Sequence, residues 1–312
     1  MKLYIHFGIH RTGSTSIQAC LNNSFNILKS HGFLYPRIKG MSDHVRIPWM
    51  LNSGKLSSED VLAEIDSQKN ELTHTVILSA EDFCLVRNSD FFERLKKEYS
   101  VSVVLYLKRQ DLWLESWYNQ HIKWPWDKKF SSCTPEAFLT DFSRDFYWMN
   151  YKSLLERLEK IFGKNNLKLN VVDSYGVKDT VKDFMQVVGI DSRWLNSYKD
   201  QNASLSSVKL DIIRRLDVYD LKPAERHKVI RAINTLDIPE DNGKKIVFSD
   251  EQVESILSYY NASNEYVAKK YFERDELFGD GILTNRSPVF ISDDLAYKKY
   301  IPMLLKSVCR EN

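Results

Sequence analysis

The residues able to do chemistry stand near the start of the chain. Gly8-Ile9-His10-Arg11-Thr12-Gly13-Ser14-Thr15 has the Gly-x4-Gly spacing of a phosphate-binding loop and lies between a strand-like run (3–7) and a helix-like run (14–29). Backbone N–H groups and a helix N-terminus would face an anion there. A Walker A loop carries Lys directly after its second glycine, whereas this chain has Ser14 there and its cation earlier, at Arg11. That is a poor design for a Mg-nucleotide kinase. It suits a phosphate held without metal, because Arg supplies both charge and two parallel donors. Ser14, Thr15 and Ser16 add hydroxyls in the first helical turn. The bland alternative is a tight turn with Thr12 or Ser14 capping a helix.

Two groups could accept a proton. Glu81 follows the strand-like run Thr75–Ser79 in Ser79-Ala80-Glu81-Asp82-Phe83, and the C-terminal ends of parallel strands face the ligand crevice. Asp82 reads as an acid interacting with a helix dipole. His44, in Met41-Ser42-Asp43-His44-Val45-Arg46, is expected in an irregular basic loop, where its ordinary titration range suits general-base work. His6 and His10 are four apart but straddle a strand and a loop, so no metal pair is expected; His10 reads as a loop contact. Cys20, Cys84, Cys133 and Cys309 are scattered, without CxxC spacing. No zinc site or disulfide framework is expected, and a reducing compartment fits.

The elements that must position these groups follow from periodicity. Residues 3–7, Thr75–Ser79, 101–107 and Leu167–Val172 are short apolar or β-branched runs, as in a parallel sheet covered on both faces. Helices are expected over 58–70 and 179–188, and then over 208–216, 224–233 and 250–271. The fold class is therefore α/β, a three-layer parallel sheet with a P-loop-like phosphate-binding loop and a helical C-terminal portion. A single domain over 1–312 is expected, with the α/β core at about 1–190 and the helical portion at about 200–312.

Composition sets outer bounds. With 44 Lys+Arg against 42 Asp+Glu the net charge is only +2, so no field exists to hold a polyanion, and nucleic-acid binding is not expected. The longest apolar stretch, 101–107, is far short of the roughly twenty residues of a membrane helix. The start, Met1-Lys2 followed directly by 3–7, lacks the apolar region of a signal peptide, and a cytoplasmic location is expected.

The run 6–18, His6-Phe7-Gly8-Ile9-His10-Arg11-Thr12-Gly13-Ser14-Thr15-Ser16-Ile17-Gln18, with Gly32-Phe33-Leu34-Tyr35-Pro36 after it, resembles the start of bacterial sulfotransferases that use 3'-phosphoadenosine 5'-phosphosulfate, PAPS. The resemblance implies that residues 10–16 bind the 5'-phosphosulfate, with Arg11 where most members have Lys. A second segment is similar too: strand 103–107, then Lys108-Arg109-Gln110-Asp111, then Glu115-Ser116-Trp117-Tyr118 on a helix. In the family an Arg at this strand end and a Ser on the next helix hold the 3'-phosphate. This implies Ser116 with either Arg109 or Lys108, both of which stay open. Weaker similarity recurs at 201–206 and 263–272.

By the same resemblance the activity is sulfuryl transfer from PAPS, releasing PAP, with no metal required. The acceptor implied is a carbohydrate hydroxyl, as on a polysaccharide precursor. Arg11 would neutralise charge on the leaving phosphate, and Glu81, with His44 as the other choice, would take the acceptor proton. Trp124 and Trp126 beside Pro125 are candidate acceptor-cleft aromatics. Two competing readings remain at this point. One is a P-loop kinase or NTPase; the other is a protein that binds PAP without catalysis.

Overall fold

A computed structural model of the chain describes residues 1–87, 89–141, 146–173, 176–196, 204–279 and 285–310. Five strands, β1 (Lys2–His6), β2 (Phe33–Leu34), β3 (Thr75–Ser79), β4 (Ser100–Lys108) and β5 (Leu167–Val172), form one parallel sheet in the order β2-β3-β1-β4-β5. Before β4 come α1 (Ser14–Asn23), α2 (Phe25–Ser30), α3 (Ile47–Asn52), α4 (Ser58–Gln68) and α5 (Ser89–Glu98). Between β4 and β5 lie α6 (Gln110–Lys123), α7 (Lys128–Ser131), α8 (Pro135–Asp141) and α9 (Tyr151–Phe162). After β5 the chain is helical: α10 (Thr180–Val188), α11 (Ser207–Leu216), α12 (Pro223–Thr235), α13 (Asp250–Val267), α14 (Asp293–Leu295) and α15 (Ile301–Arg310).

The residues divide into two compact units. The first comprises Met1–Arg109, Trp148–Gln201 and Asn261–Gly281; the second comprises Gln110–Tyr147, Asn202–Tyr260 and Ile282–Asn312. The first unit contains the whole sheet and is three-layered. On one face Ile17 and Leu21 of α1 pack with Val181, Phe184 and Met185 of α10 against Ile77, Val104 and Tyr106. On the other, Phe7 meets Phe83, Phe92 and Phe162 at ring distances of 6.0, 5.5 and 5.7 Å. Apolar residues therefore point both ways from the strands, as the uninterrupted run 103–107 requires of a sheet covered on both sides.

The single helix expected over 14–29 is two. The break falls at Ser24, whose hydroxyl accepts the backbone N–H of Asn196, far away in sequence, at 2.9 Å. The patch at 263–272 closes over α9: Lys152 N–H donates to Ser263 Oγ at 3.0 Å, Tyr266 donates to Glu156 at 2.7 Å, and Lys270 pairs with Glu159 at 2.7 Å. Of the patch at 201–206, residues 201–203 lie outside the described residues.

The second unit is helical around Trp113, Tyr118, Phe138 and Phe248, all buried. Its interior holds an ion pair, with Glu115 accepting from Arg286 at 2.5 Å and from the N–H groups of Val247 and Phe248 at 2.8 and 3.1 Å. Removing one partner of such a buried pair is costlier than the pair is stabilising.

Candidate active site

Strand order places the site. β3 and β4 lie on either side of β1, so the connections diverge at the end of β1, and a crevice opens beyond the carboxyl ends of these strands. His6, the last residue of β1, is level with Ser79 of β3 and Val104 of β4. The loop 8–13, the turn Glu81–Leu85 and the pair Lys108-Arg109 all emerge at this edge.

The loop adopts a conformation that only a few residue types accept. Gly8, Arg11 and Gly13 have φ of +25°, +70° and +91°. A side chain on Gly8 would collide with Ser14 Oγ, 2.5 Å from an ideal Cβ, and one on Gly13 with Thr180 Oγ1 at 2.2 Å. Both glycines are thus required by close approach as well as by backbone conformation. Arg11 has no such exemption; a non-glycine residue in this region costs about 1–2 kcal/mol. Gly13→Ala is expected to lower the melting temperature and weaken anion binding together, and adding Thr180→Ala should relieve the clash but not the backbone cost. A Gly13→Ala protein that melts with the wild type would contradict this geometry.

The loop surrounds the N-terminus of α1. Gly13 begins α1 without any side chain capping it, so the first-turn N–H groups are not satisfied by a cap. Ser14 is 2% exposed and its Oγ has no hydrogen-bond partner among the described residues. Buried hydroxyls are normally paired, and this one lies under Gly8 at the start of α1. Thr12 plays a different part, donating to the Ile9 carbonyl at 2.6 Å and closing the loop on itself. Ser16 and Arg11 line an open cleft of about 340 Å³ with Gly13, Lys178, Asp179 and Thr180, while Thr15 is exposed. The sequence offered no sign that α10 would contribute: Asp179 caps that helix, accepting from the N–H groups of Val181 and Lys182, both at 3.1 Å.

The charges converge. Burial lowers the Arg11 guanidinium from its ordinary value, and the opposed charge of Glu81 partly restores it. Glu81 accepts from Gln18 Nε2 at 3.1 Å, and its Cγ would lie 3.4 Å from a Cβ on Gly8. Gln18, on α1, therefore orients the carboxylate. Lys108 Nζ reaches the Arg11 carbonyl at 3.4 Å, so this lysine belongs to the loop. Arg109, just past β4, is 4% exposed. Ser116 lies on α6 in the second unit and is half-buried.

His44 does not occupy a solvated loop. Its side chain is buried; Nε2 donates to the Pro36 carbonyl at 2.7 Å and Nδ1 accepts the Ser79 N–H at 3.1 Å. Both nitrogens are committed and the tautomer is fixed, so taking a proton would break the bond to Ser79. This corrects the expectation of a base at His44: it pins the 37–46 segment to the end of β3. Burial lowers it to about 4, and lowers His6 to about 3.

These two shifts carry a sign. Below the ordinary histidine value of 6.5 the unfolded chain binds protons that the fold refuses. Stability is therefore lost as pH falls from there towards 4, by about 1.4 kcal/mol per pH unit for each histidine. Urea unfolding at about pH 7 and about pH 5 should show the loss, with His44→Gln reducing the slope; a midpoint that does not move would contradict the assignment.

His10 and Asp82 have more structure than expected. His10 Nε2 bonds to Asp82 Oδ1 at 2.9 Å, and Trp49 Nε1 donates to Asp82 Oδ2 at 2.7 Å. Asp82 is 9% exposed. Neither partner was legible, because Trp49 and His10 are distant from Asp82 in sequence. Trp148, in the first unit, has its ring 6.0 Å from His10. Trp124 and Trp126 lie in the second unit, Trp124 against His227 at 4.5 Å and Trp126 against His121 at 3.9 Å.

No family model matches the chain. It is 30% identical over 204 residues to an uncharacterized protein of Archaeoglobus fulgidus, a match covering 63% of this chain and 54% of that protein. The chain thus spans about half the length of the curated relative it matches. A crystal structure of a sulfotransferase from Alicyclobacillus acidocaldarius aligns with a TM-score of 0.48 at 10% identity, over 88% of this chain and 97% of that one.

Proposed function

We propose that the chain is a sulfotransferase that moves the sulfuryl group of PAPS to an acceptor hydroxyl, with a carbohydrate as the acceptor class. The observation that carries the reading is the buried, unpartnered Ser14 Oγ at the uncapped start of α1, inside a loop where Arg11 supplies the charge. The first-turn N–H groups, Ser14 and Arg11 hold the 5'-phosphosulfate. Lys108 supports the loop through the Arg11 carbonyl, and Arg109 is assigned to the 3'-phosphate.

Glu81 is the base. It stands beside the loop, is oriented by Gln18, and is linked electrostatically to Arg11. The acceptor oxygen forms its bond to sulfur as its proton passes to the Glu81 carboxylate, and the sulfur–oxygen bond to the phosphate breaks with its electron pair left on PAP. Positioning and charge neutralisation supply most of the rate. His44 takes no part, since its nitrogens are committed elsewhere.

Radiolabelled PAPS incubated with the protein and a set of polysaccharides tests the reaction. Label should enter polysaccharide with the wild type and not with Glu81→Gln. Label that never leaves the donor, with PAP still bound, would favour a non-catalytic PAP-binding protein instead.

A further inference from the structure

The donor loop and base leave the acceptor without a seat, and Trp49 offers one. Its side chain is 59% exposed, an unusual state for the largest apolar residue, yet its orientation is fixed. The indole N–H is committed to Asp82 at 2.7 Å, while the other oxygen of Asp82 takes His10 of the donor loop at 2.9 Å. The short helix α3 that carries Trp49 is held by Asn52, which donates to the Leu85 carbonyl and accepts from the Arg87 N–H, both at 3.0 Å. Tether and helix together hold the exposed indole in place.

The position connects the face to the reacting groups. Asp82 and Glu81 are consecutive, with Cα atoms about 3.8 Å apart, on one 3₁₀ turn. Glu81 lies against Gly8 of the loop and Gln18 of α1, and Asp82 reaches the loop at His10. A ring lying on Trp49 would have the Asp82 carboxylate at the edge of the indole.

We infer that Trp49 is the stacking platform for a pyranose ring of the acceptor, with Asp82 as the residue that positions it; this rests on the transfer reading above. A pyranose suits the place because its C–H face stacks on an indole while the hydroxyls around its rim need acceptors. A carboxylate has about four lone-pair sites, so Asp82 can accept further bonds beyond those from His10 and Trp49.

Protein labelled with 5-fluorotryptophan tests this, the Trp49 resonance being identified by its loss in Trp49→Phe. With PAP present, cello-, malto- and chito-oligosaccharides serve as probes. At least one should shift the Trp49 resonance. Its apparent affinity should fall roughly tenfold in Trp49→Ala and recover in Trp49→Tyr, which keeps an aromatic face. Asp82→Ala should broaden the Trp49 resonance before any sugar is added, because it removes the acceptor of the indole N–H.

A Trp49 resonance that no oligosaccharide moves would overturn the inference. So would one moved only by 2-naphthol, which would make the acceptor a planar aromatic. Stabilisation by PAP, measured on the same samples, separates the failures: its loss in the wild type points to the donor site, and its retention with a silent Trp49 points to the platform alone.

Discussion

Arg11→Ala is expected to lower sulfuryl transfer by roughly 10²–10³-fold, the cost of removing one donor aimed at charge that develops on the leaving group. Arg11 earns this weight by its setting: it lines the cleft at the start of α1, partly desolvated, opposite Glu81. The fold should survive, because Arg11 holds a left-handed backbone that it does not favour. Arg11→Gly should even raise the melting temperature slightly while losing the same activity, since glycine adopts φ of +70° without penalty. Arg11→Lys would keep the charge but not the paired donors, and should fall between. Full turnover in Arg11→Ala would remove Arg11 from the donor site.

Glu81→Gln is expected to lower transfer by roughly 10²–10⁴-fold, the range for loss of a positioned base. The amide oxygen can still accept from Gln18, so the turn that carries residue 81 should hold its place. PAP should bind this variant about as well as the wild type, which separates proton transfer from donor binding. His44→Gln provides the contrast, because its expected effect is on stability and its pH dependence and not on the chemical step. A Glu81→Gln enzyme with undiminished turnover would contradict the assignment of the base.

Much of the sheet was legible. The strands at Thr75–Ser79 and Leu167–Val172 fall where short runs placed them; the first is buried throughout and leaves no polar alternation to blur the signal, while the second, at the sheet edge, keeps only its β-branched end as a mark. The loop was legible through its glycine spacing, and Glu81 through its place after a strand. His44 was not, since what decides its role is the Ser79 N–H, a partner that only the fold supplies. The Trp49–Asp82–His10 chain is not legible for the same reason. α3 is a single short helix containing Pro48, too brief for periodicity to mark. The helical run after residue 204 reads as one portion, yet 261–281 groups with the strands and 110–147 with the other helices, a grouping set by long-range contacts.

The most direct test of the central claim is a thermal-shift titration with PAP in the presence of a chelator, set beside ATP with Mg²⁺. A ligand at about a hundred times its Kd adds roughly 2.7 kcal/mol. The loop geometry predicts stabilisation by PAP without metal, reduced in Arg11→Ala. Stabilisation by Mg-ATP alone, with PAP inert, would contradict the donor site and make the loop that of a kinase or NTPase.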